Sequence, residues 1–147
     1  MFVVDTNVLV YAANRGAVEH ERCRALLDSW RTNGAAWFLT WGICYEFLRV
    51  VTHARVLPKP WTARAANDFL AALIESPGMS VLTATDRHTR VLTEVLAEVP
   101  GISGNLLHDT HTAVLMREHG IRRICTRDTD FHRFPFLEPI DPLAAAP

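Results

Sequence analysis

Apolar positions recur along this chain in two rhythms. Short, mainly apolar runs, FVV at 2–4, AAWFLT at 35–40, MSVLTAT at 79–85 and RRICT at 122–126, read as strands, with FLEPI at 136–140 as a last edge strand that tolerates Pro139. Between them the period lengthens to that of a helix. NVLVYAAN starts at 7, with Asp5, Thr6 or Asn7 able to cap it. HERCRALLDSWRTNG at 20–34 carries a stripe of Cys23, Leu26, Leu27 and Trp30 and stops at Gly34. WGICYEFLRVVTHARV at 41–56 has Thr40 as its cap and Ile43, Phe47 and Val50 as its buried stripe. TARAANDFLAALIES, DRHTRVLTEVLAEV, with Asp86 near its cap, and LLHDTHTAVLMREHG complete the helices. RDTDFHRFP reads as a loop or a short turn of helix.

Strands that alternate with helices predict an α/β domain with a mostly parallel sheet. One domain is expected over 1–141, with 142–147 (DPLAAAP begins at 141) fraying as a tail. The chain of 147 residues is long enough to bury a core without disulfides. Its formal charge of −1 gives no global basic field, so a nucleic acid has to be held by a local patch. Cys23, Cys44 and Cys125 form no CxxC pair, which argues against a zinc ribbon or a thioredoxin-like site and for reduced thiols in the cytoplasm. The strand starting at Phe2 leaves no room for a signal peptide, and no apolar run approaches the ~20 residues of a membrane span.

In a parallel sheet the site is expected at the carboxyl ends of the strands. Asp5 follows the first strand, and Asp128 and Asp130 follow the fourth. Asp109 falls in the first turn of the helix leading into the fourth strand, and Glu46 lies at the edge of an apolar helical stripe. Two carboxylates ~5 Å apart repel by ~3 kcal/mol at an effective dielectric of 20. The chain does not place a basic residue beside each of these acids, so a divalent cation is the simplest compensation. Oxygen donors with few histidines suit Mg²⁺ or Mn²⁺ and not zinc. Such a set matches metal-assisted phosphodiester hydrolysis. Each acid also has a plainer role: Asp5 as a helix cap, Glu46 as the i,i+3 partner of Arg49, Asp109 as a charge favouring the helix dipole, Asp128 and Asp130 as turn residues.

VVDTNVLV, YEFLRV, GNLLHDTHTAVLMREHGI and TRDTDFHRF, in this order and over nearly the whole chain, resemble the PIN-domain family, and within it the VapC-type toxins of bacterial type II toxin–antitoxin pairs. The resemblance implies a PIN-like three-layer α/β/α domain with a five-stranded sheet, Mg²⁺-dependent ribonuclease activity, homodimerisation and an antitoxin partner. It maps the family's acidic quartet onto Asp5, Glu46, Asp109 and Asp128, with Asp130 at a further acidic position. Asp5 and Asp109 are then expected to hold the metal most directly, and Glu46 and Asp128 to bind a second ion or act through water. Asn7 and Thr126 are the expected positioning residues, and Arg127 and Arg133 the expected contacts to RNA phosphates. Leu9, Tyr45, Leu48 and Trp61 are expected along the antitoxin groove.

Other classes fit less well. His108 and His111 flank Asp109, but the strands argue against an all-helical His-Asp phosphohydrolase. A receiver-like signalling domain needs a lysine at the end of a late strand, and the only lysine, Lys59, lies in a PKP loop. A PIN nuclease that processes RNA without an antitoxin and a silent PIN-like binding module are the nearer alternatives. Trp30, Trp37 and Trp41 are expected in the core or at a dimer contact.

Overall fold

β1 (Phe2–Val4) is only three residues long, yet it is the centre of the sheet. In the computed structural model, which describes residues 1–144, Val3 and Val4 are both fully buried. Successive strand residues point to opposite faces, so the sheet is covered on both. β2 (Trp37–Thr40) and β4 (Arg123–Cys125) flank β1, β3 (Met79–Leu82) pairs with β2, and β5 (Glu138–Ile140) pairs with β4. All four pairings are parallel, in the order β3-β2-β1-β4-β5. Pro139 sits on the edge strand, as expected. The expected parallel architecture is therefore present.

This order has a functional consequence. From β1 the chain moves outward to β2 and β3, then crosses back to β4 on the other side of β1. The loops leaving β1 and β4 diverge, and a crevice opens at their carboxyl ends.

Among the described residues six helices pack around the sheet: α1 (Thr6–Ala13), α2 (His20–Thr32), α3 (Trp41–Val51), α4 (Ala63–Ile74), α5 (His88–Glu98) and α6 (Leu106–Glu118). None is long and apolar enough to cross a membrane. Three of their starts are capped by side chains: Asp5 accepts from the Thr6 amide, Thr40 from Ile43, and Thr62 from Ala65. α3 ends five residues earlier than its sequence pattern suggests. The Thr52 hydroxyl donates to the Leu48 carbonyl and His53 Nδ1 accepts from the Arg55 amide, so the segment before Pro58 and Pro60 turns instead. Asp86 does not cap α5. Arg87 occupies the cap position, its amide donates to the Thr85 hydroxyl, and the buried Glu118 carboxylate accepts from the Thr85 amide and from His88 Nδ1 at 2.6 Å.

Trp37 and Phe47 are among the largest fully buried side chains. Phe47 stacks on Phe69 with ring centres 5.2 Å apart and meets Trp61 edge-on. Trp30 packs at the core margin, whereas Trp41 is half exposed. Of the tail expected to fray, Pro142 is buried and its carbonyl accepts from Arg22 Nε. Residues 145–147 lie outside the described residues.

Gly78 aligns β3 with β2. Its φ is +77°, and its carbonyl accepts from the Trp37 amide at 3.1 Å. A Cβ there would run into the Ala35 carbonyl oxygen. Gly78→Ala combines left-handed strain with a backbone collision, so we expect a loss of about 3 kcal/mol or more in denaturant unfolding, against about 1 kcal/mol for conformational strain alone.

Candidate metal centre

β1 ends at Val4, where the Asp5 amide donates to the Cys125 carbonyl of β4 at 3.0 Å. That bond fixes Asp5 at the mouth of the crevice with little exposure. Both of its carboxylate oxygens have donors. Oδ1 accepts from the Thr6 amide at 2.7 Å, and Oδ2 accepts from Asn7 Nδ2 and from the Thr126 hydroxyl, each at 2.6 Å. Thr126, the first residue after β4, is itself buried. Its hydroxyl oxygen accepts from Asn7 Nδ2 and from the Asp128 amide at 2.9 Å. Asn7 Oδ1 accepts from the Arg127 amide. One hydroxyl thus ties the end of β1 to the loop that carries Asp128.

Asp128 caps the 3₁₀ turn Thr129–Arg133, its Oδ1 accepting from the Asp130 amide at 2.9 Å. The turn brings Asp130 round to the same side. Asp109 enters from the first turn of α6. Oxygens of Asp109, Asp128 and Asp130 lie within 4.8 Å of one another, close enough to share one cation. Asp5 and Glu46 line the same cavity, of about 780 Å³, with Asn7, Tyr11, Asn105, His108 and His111.

The five carboxylates act on one another. Burial first, and then the charges of Asp128, Asp5, Asp130 and Glu46, push the Asp109 carboxyl up to about 7. Burial likewise pushes Asp5 up to about 6, with the Asp128 charge adding to it, although the hydrogen bonds from Thr126, Thr6 and Asn7 pull the other way. Glu46 is the exception. Arg49 donates to both of its oxygens, at 2.6 and 2.9 Å, and holds it below the ordinary carboxylate range. The i,i+3 pairing with Arg49 that the spacing offered to Glu46 is thus present, and Glu46 is the one acid of the five with a basic partner among the described residues.

Asp5, Glu46, Asp109, Asp128 and Asp130 come together, and Thr126 and Asn7 lie among them. The emphasis differs from the expectation. Asp130, foreseen as a helper, is within the closest trio, whereas Asp5 is held by internal donors at its edge. Arg127 and Arg133 are turned to internal acceptors. Arg127 pairs with Glu19 at 2.7 Å and reaches Asp141, and Arg133 donates to the Pro100 carbonyl. Tyr11 and Asn105 were missed. Asn105 occupies the α6 cap position yet makes no capping bond, and its GN dipeptide reads from sequence as an ordinary helix start.

A family model for the PIN domain matches residues 2–137. The chain belongs to the PIN-domain family. Among curated PIN relatives, Ribonuclease VapC33 of Mycobacterium tuberculosis is 32% identical over 143 residues, covering 97% of this chain and 99% of its own. Ribonuclease VapC37 of the same organism is 32% identical over 134 residues, covering 91% and 92%. In three dimensions this PIN domain superposes on VapBC2 of Rickettsia felis bound to a promoter DNA fragment, with a TM-score of 0.65, 18% identity and coverage of 95% and 96%. It also superposes on VapC20 of M. tuberculosis, described as a Sarcin-Ricin loop cleaving toxin, with a TM-score of 0.62, 19% identity and coverage of 90% and 93%.

The raised carboxyls predict a pH dependence. Asp5 and Asp109 hold their protons more tightly in the folded chain than in the unfolded one, where the value is near 3.8. The folded state then binds more protons, so stability from these groups is greatest below about pH 4 and falls as pH rises through about 6 and 7. In chelator the unfolding midpoint should drop between about pH 5 and pH 8. A divalent cation should restore it, and Asp109→Asn should flatten the profile in chelator.

Proposed function

We propose that this PIN domain is a Mg²⁺-dependent endoribonuclease and the toxin of a toxin–antitoxin pair. The observation that carries the proposal is the trio of Asp109, Asp128 and Asp130, mutually within 4.8 Å and with Asp5 and Glu46 on the same cavity. Four of these five acids have no basic side chain hydrogen-bonded to them among the described residues. An all-oxygen set of this charge suits Mg²⁺ or Mn²⁺. When bound, such an ion supplies charge compensation at a phosphodiester and a water nucleophile at neutral pH.

Asp109, Asp128 and Asp130 are the residues that would hold the ion. Asp5 sets the depth of the site, since its oxygens are fixed by Thr6, Asn7 and Thr126. Thr126 is a positioning residue: its hydroxyl joins Asp5 to the Asp128 amide and keeps the two chain ends of the site in register. Glu46, held by Arg49, lines the same cavity and adds negative charge that acts on Asp109. The hydrolysis leaves a 5′-phosphate and a 3′-hydroxyl.

Support for RNA as substrate comes from relatives that carry the name ribonuclease and from the VapC20 fold. Support for an antitoxin comes from the VapC relatives and from the fold shared with VapBC2. A surface cavity between α3 and α4, lined by Trp41, Tyr45, Leu48 and Ile74, supplies exposed apolar area for such a partner or for a second copy of the chain. Leu9 takes no part in that surface, because it is fully buried in the core. The cytoplasm is the proposed location.

Purified chain incubated with single-stranded RNA and Mg²⁺ should cleave it, and chelator should stop it. Asp109→Asn and Asp128→Asn should each lower the rate by at least about 100-fold without loss of folding, because neutral amides relieve the repulsion. Full cleavage by both variants would overturn the proposal. Thr126→Val removes only the hydroxyl that orients two acids, and should raise the Mg²⁺ concentration for half-maximal activity about 10- to 100-fold.

A further inference from the structure

RNA is a polyanion, and the proposed site is acidic, so something must hold the strand against that repulsion. The foreseen arginines at 127 and 133 are engaged within the fold. The charge distribution shows another source. Of fifteen Lys and Arg and sixteen Asp and Glu, four of the former and none of the latter fall between Phe47 and Asn67, which leaves the rest of the chain at a formal −5. Arg49 is tied to Glu46. Arg55, Lys59 and Arg64 are exposed, and among the described residues none of them pairs with a carboxylate.

These cations stand on a built surface. The α3–α4 connection folds back on the end of α3: the Val56 and Leu57 amides donate to the His53 carbonyl, and the Trp61 amide donates to Val51 at 2.9 Å. Leu57 is buried, and Trp61 meets Phe47 and Phe69 edge-on. Pro58 and Pro60 flank Lys59 and restrict its backbone. Little backbone order remains to be lost when a ligand binds.

The surface adjoins the acids at two places. Glu46, Arg49 and Val50 of α3 line the acidic cavity, and the connection begins two residues later. Along α1, Asn7, Val10 and Tyr11 line the acidic cavity, while Ala12 and Ala13 line a second one, of about 570 Å³, with Arg15 and Trp61. Arg15 likewise pairs with no carboxylate among the described residues. Eight helical residues cover about 12 Å, a distance a few linked nucleotides span.

We infer that Arg15, Arg55, Lys59 and Arg64 form a phosphate-binding subsite that holds the RNA strand beyond the scissile position, along the α1 and α3 side of the site. The inference rests on the ribonuclease reading. Its selectivity is for backbone charge and not for base sequence.

The test compares Arg55→Ala/Lys59→Ala/Arg64→Ala with the parent chain, both in an Asp109→Asn background, for binding of a labelled single-stranded RNA across a salt series. Three lost phosphate contacts at about 0.7 each should make the slope of log affinity against log salt shallower by about two. Arg55→Lys/Arg64→Lys should keep the parent slope. With Asp109 intact, the triple variant should cleave a dinucleotide as the parent does, but lose at least about tenfold in kcat/KM on a strand of roughly ten nucleotides. An unchanged slope and unchanged cleavage of the longer strand would overturn the subsite and leave the ribonuclease reading standing. A parent chain that neither binds nor cleaves RNA would overturn that reading and the subsite with it. A triple variant that retains RNA binding but no longer associates with its antitoxin would assign the patch to the protein partner and overturn the inference.

Discussion

Repulsion among carboxylates is the constraint around which this structure is arranged. Asp109 alone feels the charges of Asp5, Glu46, Asp128 and Asp130, and its carboxyl is pushed up to about 7. A fold that gathers such groups loses stability unless protons or a cation neutralise them. Here the surrounding structure holds them in place all the same. A sheet buried at its centre supplies the stiffness, the Asp5 amide is fixed to β4, and Thr126 serves Asp5 and Asp128 with one hydroxyl. Rigidity and charge concentration therefore have one origin, the junction of two neighbouring parallel strands.

The topology explains why that junction and no other carries the acids. With β1 central and the chain reversing its direction of travel between β3 and β4, only the loops after β1 and β4 part from each other. The end of β1 and the first turn of α1 deliver Asp5 and Asn7, and the segment after β4 with its 3₁₀ turn delivers Thr126, Asp128 and Asp130. α3 and α6 complete the walls with Glu46 and Asp109. The helix caps share in this arrangement, since Asp5 caps α1 and Asp128 caps the 3₁₀ turn while both face the cavity. The choice between cap and site residue, open in the sequence, is resolved by both roles being filled at once.

Much of this was legible in the residues. The strands, the helix starts at Thr40 and Thr62, and the placement of the acids at strand ends follow from periodicity and capping chemistry. What escaped were features that depend on contacts distant in sequence. Glu118, thirty residues from His88, replaces Asp86 as the group that organises the start of α5. Arg127 and Arg133 look available in sequence, but Glu19 and the Pro100 carbonyl reach them only in the folded chain. The 3₁₀ turn decides the rank of Asp130, and nothing in the DTD triplet distinguishes a turn residue from a third ligand. The basic connection between α3 and α4 was visible as sequence, yet its fold back onto Val51 exists only in the folded chain.

The bond network around Thr126 joins residues more than a hundred positions apart. Until the residues that follow β4 have emerged and folded onto the end of β1, Asp5 lacks its Thr126 donor and stands apart from Asp128 and Asp130. A growing polypeptide therefore has no cutting site beside the ribosome and the messenger it is translating before that segment is in place. The hazardous part of the enzyme exists only once segments far apart in the chain have met.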